Sequence, residues 1–433
     1  MGATIKRGRN RMALAALWLV ALPFPVGAQT TSHPVAPKRP VDRPVRAPGT
    51  VRHGPHHTVA SDTPQEDAGI RGARKRIHRM ARVIWPDGVL PPERAPWFCD
   101  LMTRLCVTNP SLVYFDVRAS VDGGVVSLRG ATNVASMTDL LSRALKVVGV
   151  TDVRSDVRVL PDAVRVGDRA FGVCVAPRAL TWQQPYVTGR GQPPGVQTEL
   201  LFGEPVLVLD QRDGCLLVQS GDGYWGWVTG DAIQRTTQAV FTEYLSIASR
   251  GVLTRDVTAG DFRIPRGAVV RVADVDKDTV SIALAGRASP EIARDAVRLV
   301  DHDGAVIRKR VRALAAWTKT PYVFGGRSVV GTDCSGLIST VWQQTGQPLG
   351  RDAWQQAFAG RLVGTHGYRS AIQPGDQLFF IDGSGKIYHT GVAVDATTVL
   401  HAAPPAVRVS SLDPEAPRYE RRLDRDLFMV KRY

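Results

Sequence analysis

The chain has 433 residues, too many for one ordinary hydrophobic core and enough for about three domains. Hydrophobic residues at 44% and charged residues at 22% are those of a globular protein and exclude a wholly disordered one. Lys+Arg 55 against Asp+Glu 40 leaves a net charge of +15, which favours anionic surroundings; with no aromatic-plus-basic module or zinc-finger spacing beside it, nucleic acid is not an expected partner.

Lys6, Arg7, Arg9 and Arg11 precede an apolar run from Met12 to Leu22, and Val26-Gly27-Ala28 follows two prolines. That is the order of a secretory signal over residues 1–28, cleaved after Ala28. The run is shorter than the about 20 apolar residues that cross a bilayer. The expectation is an exported protein of the periplasm or cell envelope. Residues 29–70, rich in Pro, Arg, His and Thr, read as a disordered basic linker. Its His53, His56 and His57 have no carboxylate or cysteine to complete a metal site, and no metal or cofactor is expected in the chain. Residues 71–86 read as a short basic helix ended by Pro86. In an oxidising compartment the expected disulfides are Cys99–Cys106 and Cys174–Cys215, each within one segment, which leaves Cys334 unpaired.

Between Leu112 and Pro161, two strands flank the turn Asp122-Gly123-Gly124. A helix over Met137–Val148 follows, its Leu140, Leu141, Ala144, Leu145 and Val148 at helical spacing. Gly149 ends it, and Val150–Leu160 alternates as a third strand. The phrases VVSLRGAT and VVGVTDVRSDVRV, in that order of elements, resemble a BON domain. Over 71–165, with the preceding helix, the resemblance implies a small α/β module that associates with envelope components and carries no catalytic residue.

Residues 168–300 read as all-β, short strands between turn signals that indicate small barrels. GEPVLVLDQRDGCLLVQSGDGYWGWV resembles a bacterial SH3-like (SH3b) domain, spanning 168–234. RIPRGAVVRVADVDKDTVSIAL repeats its turn–strand order more weakly, giving a second such barrel over 235–300. Trp225 and Trp227 fit a ligand groove or a barrel core equally well.

The segment 305–433 opens with a helix whose Ile307, Val311, Leu314 and Ala315 share one face. After Asp333-Cys334-Ser335-Gly336, residues Leu337–Gln344 read as helical and end near Gly346. Cys334 then lies in the first helical turn, where unpaired N–H groups and the positive dipole end lower a thiol pKa. A thiolate nucleophile needs a base, and the base an orienting group. His302, in an Asp-flanked link, and His366, in a Gly-rich loop, are poor prospects. His389 opens one alternating stretch and His401 closes the next, with a turn at Asp395-Ala396-Thr397. Their separation suits two residues roughly opposite one another at one end of a hairpin.

PYVFGG, GTDCSGLIS, PGDQLFF and HTGVAVDATTVLHA, in that order and spacing, resemble the NlpC/P60 domain, the papain-like cysteine peptidases of bacterial cell walls. The resemblance implies that Cys334 is the nucleophile, His389 the general base and His401 the third member. It further implies that Tyr322, Asp333 and Ser335 hold the amino end of the substrate, although Asp333 also suits a helix cap. It supplies the substrate class, peptidoglycan stem peptides cut at the γ-D-glutamyl–diamino acid bond, with a free N-terminal L-alanine. One departure is the turn after His389, Ala393-Val394-Asp395-Ala396-Thr397, in place of an aromatic and a Gly-Asn-Gly-like turn. Asp376 and Phe379-Phe380 read as structural. The whole chain is thus expected to be multidomain α+β, a papain-like domain preceded by two SH3-like barrels and a BON-like module. Envelope lipid or a cell-wall polymer are the further expected partners. The competing readings are a non-catalytic envelope-binding protein with a degenerate peptidase domain, and an amidase or acyltransferase on the same fold.

Overall fold

The structure, a computed structural model, describes residues 68–187, 193–300 and 313–433. The expected signal segment, most of the basic linker, His302 and the first part of the helix before Leu314 lie outside the described residues. Among those described, no helix is long and apolar enough to cross a membrane.

The first module is built on a three-stranded sheet. Phe115–Asp122 pairs antiparallel with Val125–Thr132, which pairs in parallel with Val153–Val159. The parallel pair is joined through the helix Leu140–Val147, the crossover that parallel pairing demands. Its Leu140, Leu141, Ala144 and Leu145 are buried together with Val126 and Leu128 of the sheet. The basic helix spans Ala68–Ile84, and Ile77, Met80 and Ile84 turn its apolar stripe onto the same core. A further helix, Ala95–Cys106, buries Phe98, Cys99 and Met102 there. That helix rules out the expected Cys99–Cys106 bond. Seven residues of helix separate the two α-carbons by roughly 10 Å, beyond the reach of a disulfide. Cys174 and Cys215 also stand apart, Cys174 opposite Ile233 and Cys215 opposite Arg212, in separate clusters. All five cysteines are free thiols.

The next unit is a seven-stranded antiparallel sheet. Its order is Ile233–Thr236, Phe171–Cys174, Pro205–Arg212, Cys215–Ser220, Trp225–Thr229, Arg178–Trp182 and Val196–Leu201. Trp227 is fully buried with Leu209 and Leu217. Trp225 stands edge-on to Tyr114 of the first module, and its indole N–H donates to the Pro110 carbonyl at 2.7 Å. Trp227 thus belongs to the core, and Trp225 packs at the junction with the first module.

Residues 250–299 form a five-stranded antiparallel sheet, which includes the expected strands Val269–Val275 and Thr279–Ile282, with the separate hairpin Val257–Ala259/Phe262–Ile264. The all-β expectation fails before it, at the helix Gln238–Ser246. Phe241 and Tyr244 recur at helical spacing in a stretch without Gly or Pro, and the Tyr244 hydroxyl donates to the Gly203 carbonyl at 2.8 Å.

The C-terminal unit is a six-stranded antiparallel sheet. Its order is Arg361–Thr365, Leu427–Arg432, Gln377–Ile381, Ile387–Ala393, Thr398–Ala403 and Ala406–Ser411. The helix Cys334–Gln343 buries Leu337, Ile338, Val341 and Trp342 against Val392, Leu400 and Ala402. A second core, Leu378, Phe380, Val399 and Val430, is covered by Leu423 of the helix Arg421–Asp426. Asp376 meets Arg432 with both oxygens, at 2.7 and 2.8 Å, and Phe379 and Phe380 are fully buried, as their structural reading requires.

The seven-stranded unit, hereafter the barrel, and the C-terminal unit are joined by buried ions. The Arg327 guanidinium contacts Glu204 at 2.9 Å and donates to the Glu199 carbonyl, while Glu199 Oε2 accepts the Arg327 N–H at 2.7 Å. Removing one partner from so buried a pair strands a charge, so this seam fixes the barrel against the helix that carries Cys334.

Candidate active site

Cys334 opens its helix because Asp333 caps it: Asp333 Oδ1 accepts the Gly336 N–H at 2.7 Å. Asp333 Oδ2 accepts the Gly325 N–H at 2.8 Å, and Arg351 grips both oxygens, at 3.0 and 2.7 Å. Gly325 has φ +78°, and a β-carbon there would lie 2.5 Å from Val196 of the barrel, so the residue must be glycine on both counts. The Ser335 hydroxyl turns inward, donating to Asp333 and accepting from Arg351 at 3.0 Å. The polar atoms of Asp333 and Ser335 thus hold the helix start and Arg351, and Asp333 fills the capping role that the sequence also suited.

Tyr322 sits beside the cysteine, half-buried. Burial, with Cys334 and Asp333 nearby, pushes its phenol up to about 12. Arg351, invisible to the sequence reading as a site residue, also reaches Thr198 of the barrel at 2.8 Å. The next residue, Asp352, accepts the Tyr224 hydroxyl at 2.7 Å and the Trp354 indole N–H at 3.1 Å. Tyr224 comes from the barrel, and Ser111 of the first module hydrogen-bonds the same phenol. Asp352 is thus a half-exposed carboxylate hydrogen-bonded to a phenol and an indole, beside Asp333, whose two oxygens are held by Arg351.

His389 and His401 lie on adjacent strands, whose register pairs Val392 with Leu400 and Ala393 with Val399. That register places the two histidines diagonally, two residues out of step, rather than directly opposite. Their rings meet at 86°, with His389 Nε2 2.9 Å from His401 Nδ1. Gly391 makes room: a β-carbon there would lie 2.5 Å from Val399 and 3.1 Å from the His401 β-carbon. The turn joining the strands is closed by Asp395, whose Oδ1 accepts the N–H of Thr397 and of Thr398. The N–H of Thr390, next to His389, and that of Ser335 both point at the Cys334 sulfur. This brings the thiol to the strand that carries the first histidine. His366 stays in its exposed loop, outside the site.

Both histidines are buried, at 7% and 1% exposure, and burial pushes each imidazole down to about 3. Burial, assisted by the Asp333 charge, pushes the Cys334 thiol up to about 12, against the two N–H groups that favour a thiolate. The expected depression at a helix start is overridden: desolvation of a half-buried sulfur next to a carboxylate outweighs the dipole. Burial thus favours the uncharged form of both the thiol and the imidazoles. Beyond His401 the network continues to Ser410 and Glu420, which sequence reasoning missed. Among the described residues, no cluster of His, Cys, Asp and Glu forms a metal site.

Comparison with known proteins agrees with this architecture. Residues 319–425 match the NlpC/P60 family, and residues 192–233 match the bacterial dipeptidyl-peptidase SH3 domain. The chain is 26% identical over 240 residues to a gamma-D-glutamyl-L-lysine dipeptidyl-peptidase of Bacillus subtilis, covering 53% of this chain and 79% of that one. It is 36% identical over 103 residues to the probable endopeptidase NlpC of Escherichia coli, 23% of this chain and 64% of the relative. A crystal structure of an NlpC/P60 family protein from Bacillus cereus superposes with a TM-score of 0.51 at 16% identity, over 61% of this chain and 99% of that one, a likeness of fold. The C-terminal unit is an NlpC/P60 domain, and the barrel before it is a bacterial SH3 domain.

Proposed function

We propose that the chain is a cysteine peptidase that hydrolyses peptidoglycan stem peptides at the γ-D-glutamyl–diamino acid bond. One observation carries this reading: a thiol at a capped helix start lies against the strand of a buried, hydrogen-bonded histidine pair. A relative named for γ-D-glutamyl-L-lysine cleavage supports the bond chosen.

The chemistry starts from the uncharged thiol and imidazole. His389 takes the Cys334 proton as the sulfur attacks the amide carbonyl, and the Cys334 N–H faces the developing oxyanion. Collapse expels the amine, which takes that proton from His389, and leaves a thioester. Water, deprotonated by His389, then releases the acid and the free thiol. His401 holds His389 in place throughout.

The same reading favours peptides with a free N-terminal L-alanine. Asp352, half-exposed and hydrogen-bonded to the Tyr224 hydroxyl, suits an ammonium, alongside Tyr322, Asp333 and Ser335 beside Cys334. We further place the chain in the exported fraction, on the basis of residues 1–28. We read residues 71–165 as a BON-like envelope module and residues 235–300 as a second SH3-like unit; the mixed three-stranded sheet and the five-stranded sheet support these two readings. The test is digestion of a free stem tripeptide beside intact, glycan-linked peptidoglycan. The free peptide should be cut faster, and faster cutting of the linked form defeats the free-amine assignment.

A further inference from the structure

The hydrogen-bond chain behind the histidines has a direction that one atom fixes. Glu420 stands at the N-terminal boundary of the helix Arg421–Asp426, and its N–H donates to the Ser411 carbonyl at 2.9 Å, which anchors it to the strand Ala406–Ser411. A carboxylate only accepts, so the Ser410 hydroxyl donates to Glu420 Oε2 at 2.8 Å. Ser410 Oγ must then accept the Nε2–H of His401, 2.9 Å away. A neutral imidazole has one N–H, so His401 Nδ1 is an acceptor, and the hydrogen between the rings belongs to His389 Nε2. His389 Nδ1 is left bare, the nitrogen that a base needs.

We propose that Ser410 and Glu420 are positioning residues that hold both histidines in a single tautomer, keeping His389 Nδ1 unprotonated and available to Cys334. The inference rests on the peptidase reading for its consequence and on geometry for its content. Without the serine hydroxyl, His401 loses its directed acceptor, either ring flips tautomer without penalty, and a fraction of His389 then presents N–H to the sulfur. Glu420 also stabilises the imidazolium formed during each proton transfer, a task that grows as His389 takes the proton. The other charged and titratable groups facing this chain are Arg408, 3.5 Å from Glu420, and Arg422, whose guanidinium lies over Tyr388. Tyr388 stacks on His389 and donates to Asp426 at 3.0 Å, and Cys334 approaches from its helix. Both arginines disfavour the imidazolium, so Glu420 is the one of these charges that favours it.

The test uses the full chain. Ser410→Ala should lower kcat about tenfold with KM unchanged, and Ser410→Thr, which restores the hydroxyl, should recover most of it. Glu420→Gln should lower kcat and move the acid limb of its pH profile to lower pH, because the lost carboxylate had favoured imidazolium. An activity-free readout separates this inference from the function it rests on. Nitrogen NMR of histidine-labelled protein should show one Nε2–H tautomer for both rings in the wild type and tautomer mixtures in Ser410→Ala. If the wild type cuts no stem peptide, the peptidase reading fails while the spectra still judge the relay. Unchanged kcat, acid limb and tautomers in Ser410→Ala overturn the relay, even should Glu420→Gln fail to fold.

Discussion

Two buried polar regions lie side by side in this protein and treat charge in opposite ways. At the seam between barrel and peptidase, each charge meets its opposite: Arg327 with Glu204, Arg351 with Asp333, Arg178 with Glu199. Around Cys334, burial favours the uncharged form of the thiol and of both imidazoles, with Asp333 and Glu420 as the nearby carboxylates. The first arrangement is stable and inert. The second keeps protonation states within reach of one another, which acid–base work requires.

The largest effect expected from breaking the contrast is His389→Ala, which removes the base and should lower kcat more than a thousandfold while leaving sacculus binding intact. Arg327→Met removes one side of the seam and strands Glu204. It should cost about 3–5 kcal/mol in denaturant unfolding, whereas an equally stable variant would show that the seam is not a locking element. Asp352→Asn sits between the two regimes. It should raise KM for free-amine stems about tenfold to a hundredfold and leave kcat largely unchanged.

Acid should act on the histidine side of the comparison. Each imidazole titrates near 6.5 when unfolded and at about 3 when folded, so between those values the unfolded chain binds more protons. Stability is then full above about pH 6.5 and falls on acidification, by about 1.4 kcal/mol per pH unit for each histidine. His401→Phe should flatten that slope in unfolding at pH 7 and pH 5. The smallest effect concerns the thiol. Alkylation of Cys334, followed by peptide mass mapping, should be slow at pH 7 and rise only toward alkaline pH, whereas a fast plateau from pH 6 would reveal a resting ion pair.

The residues proposed to react were legible in the sequence because their spacing is local. Cys334 is marked by its capped helix start, and His389 and His401 by strand alternation around a turn. The supporting residues were not legible, since they come from distant segments. Arg351 finds Asp333 across a loop, Tyr224 reaches Asp352 from another domain, and Glu420 meets Ser410 from the start of the following helix. The disulfide expectation failed for a different reason. Export was taken to imply pairing, while Cys99 and Cys106 share a helix two turns apart, and burial there pushes both thiols up. The elimination that singled out Cys334 as the odd cysteine goes with it, and the neighbouring strand is what distinguishes that residue.

The most direct test is mass spectrometry of a stem tripeptide, L-alanyl-γ-D-glutamyl-diamino acid, incubated with the wild type and with Cys334→Ala. Release of L-alanyl-γ-D-glutamate and the free diamino acid by the wild type alone is the predicted result. An intact tripeptide in both reactions, or equal release by both, would contradict the assignment of this site.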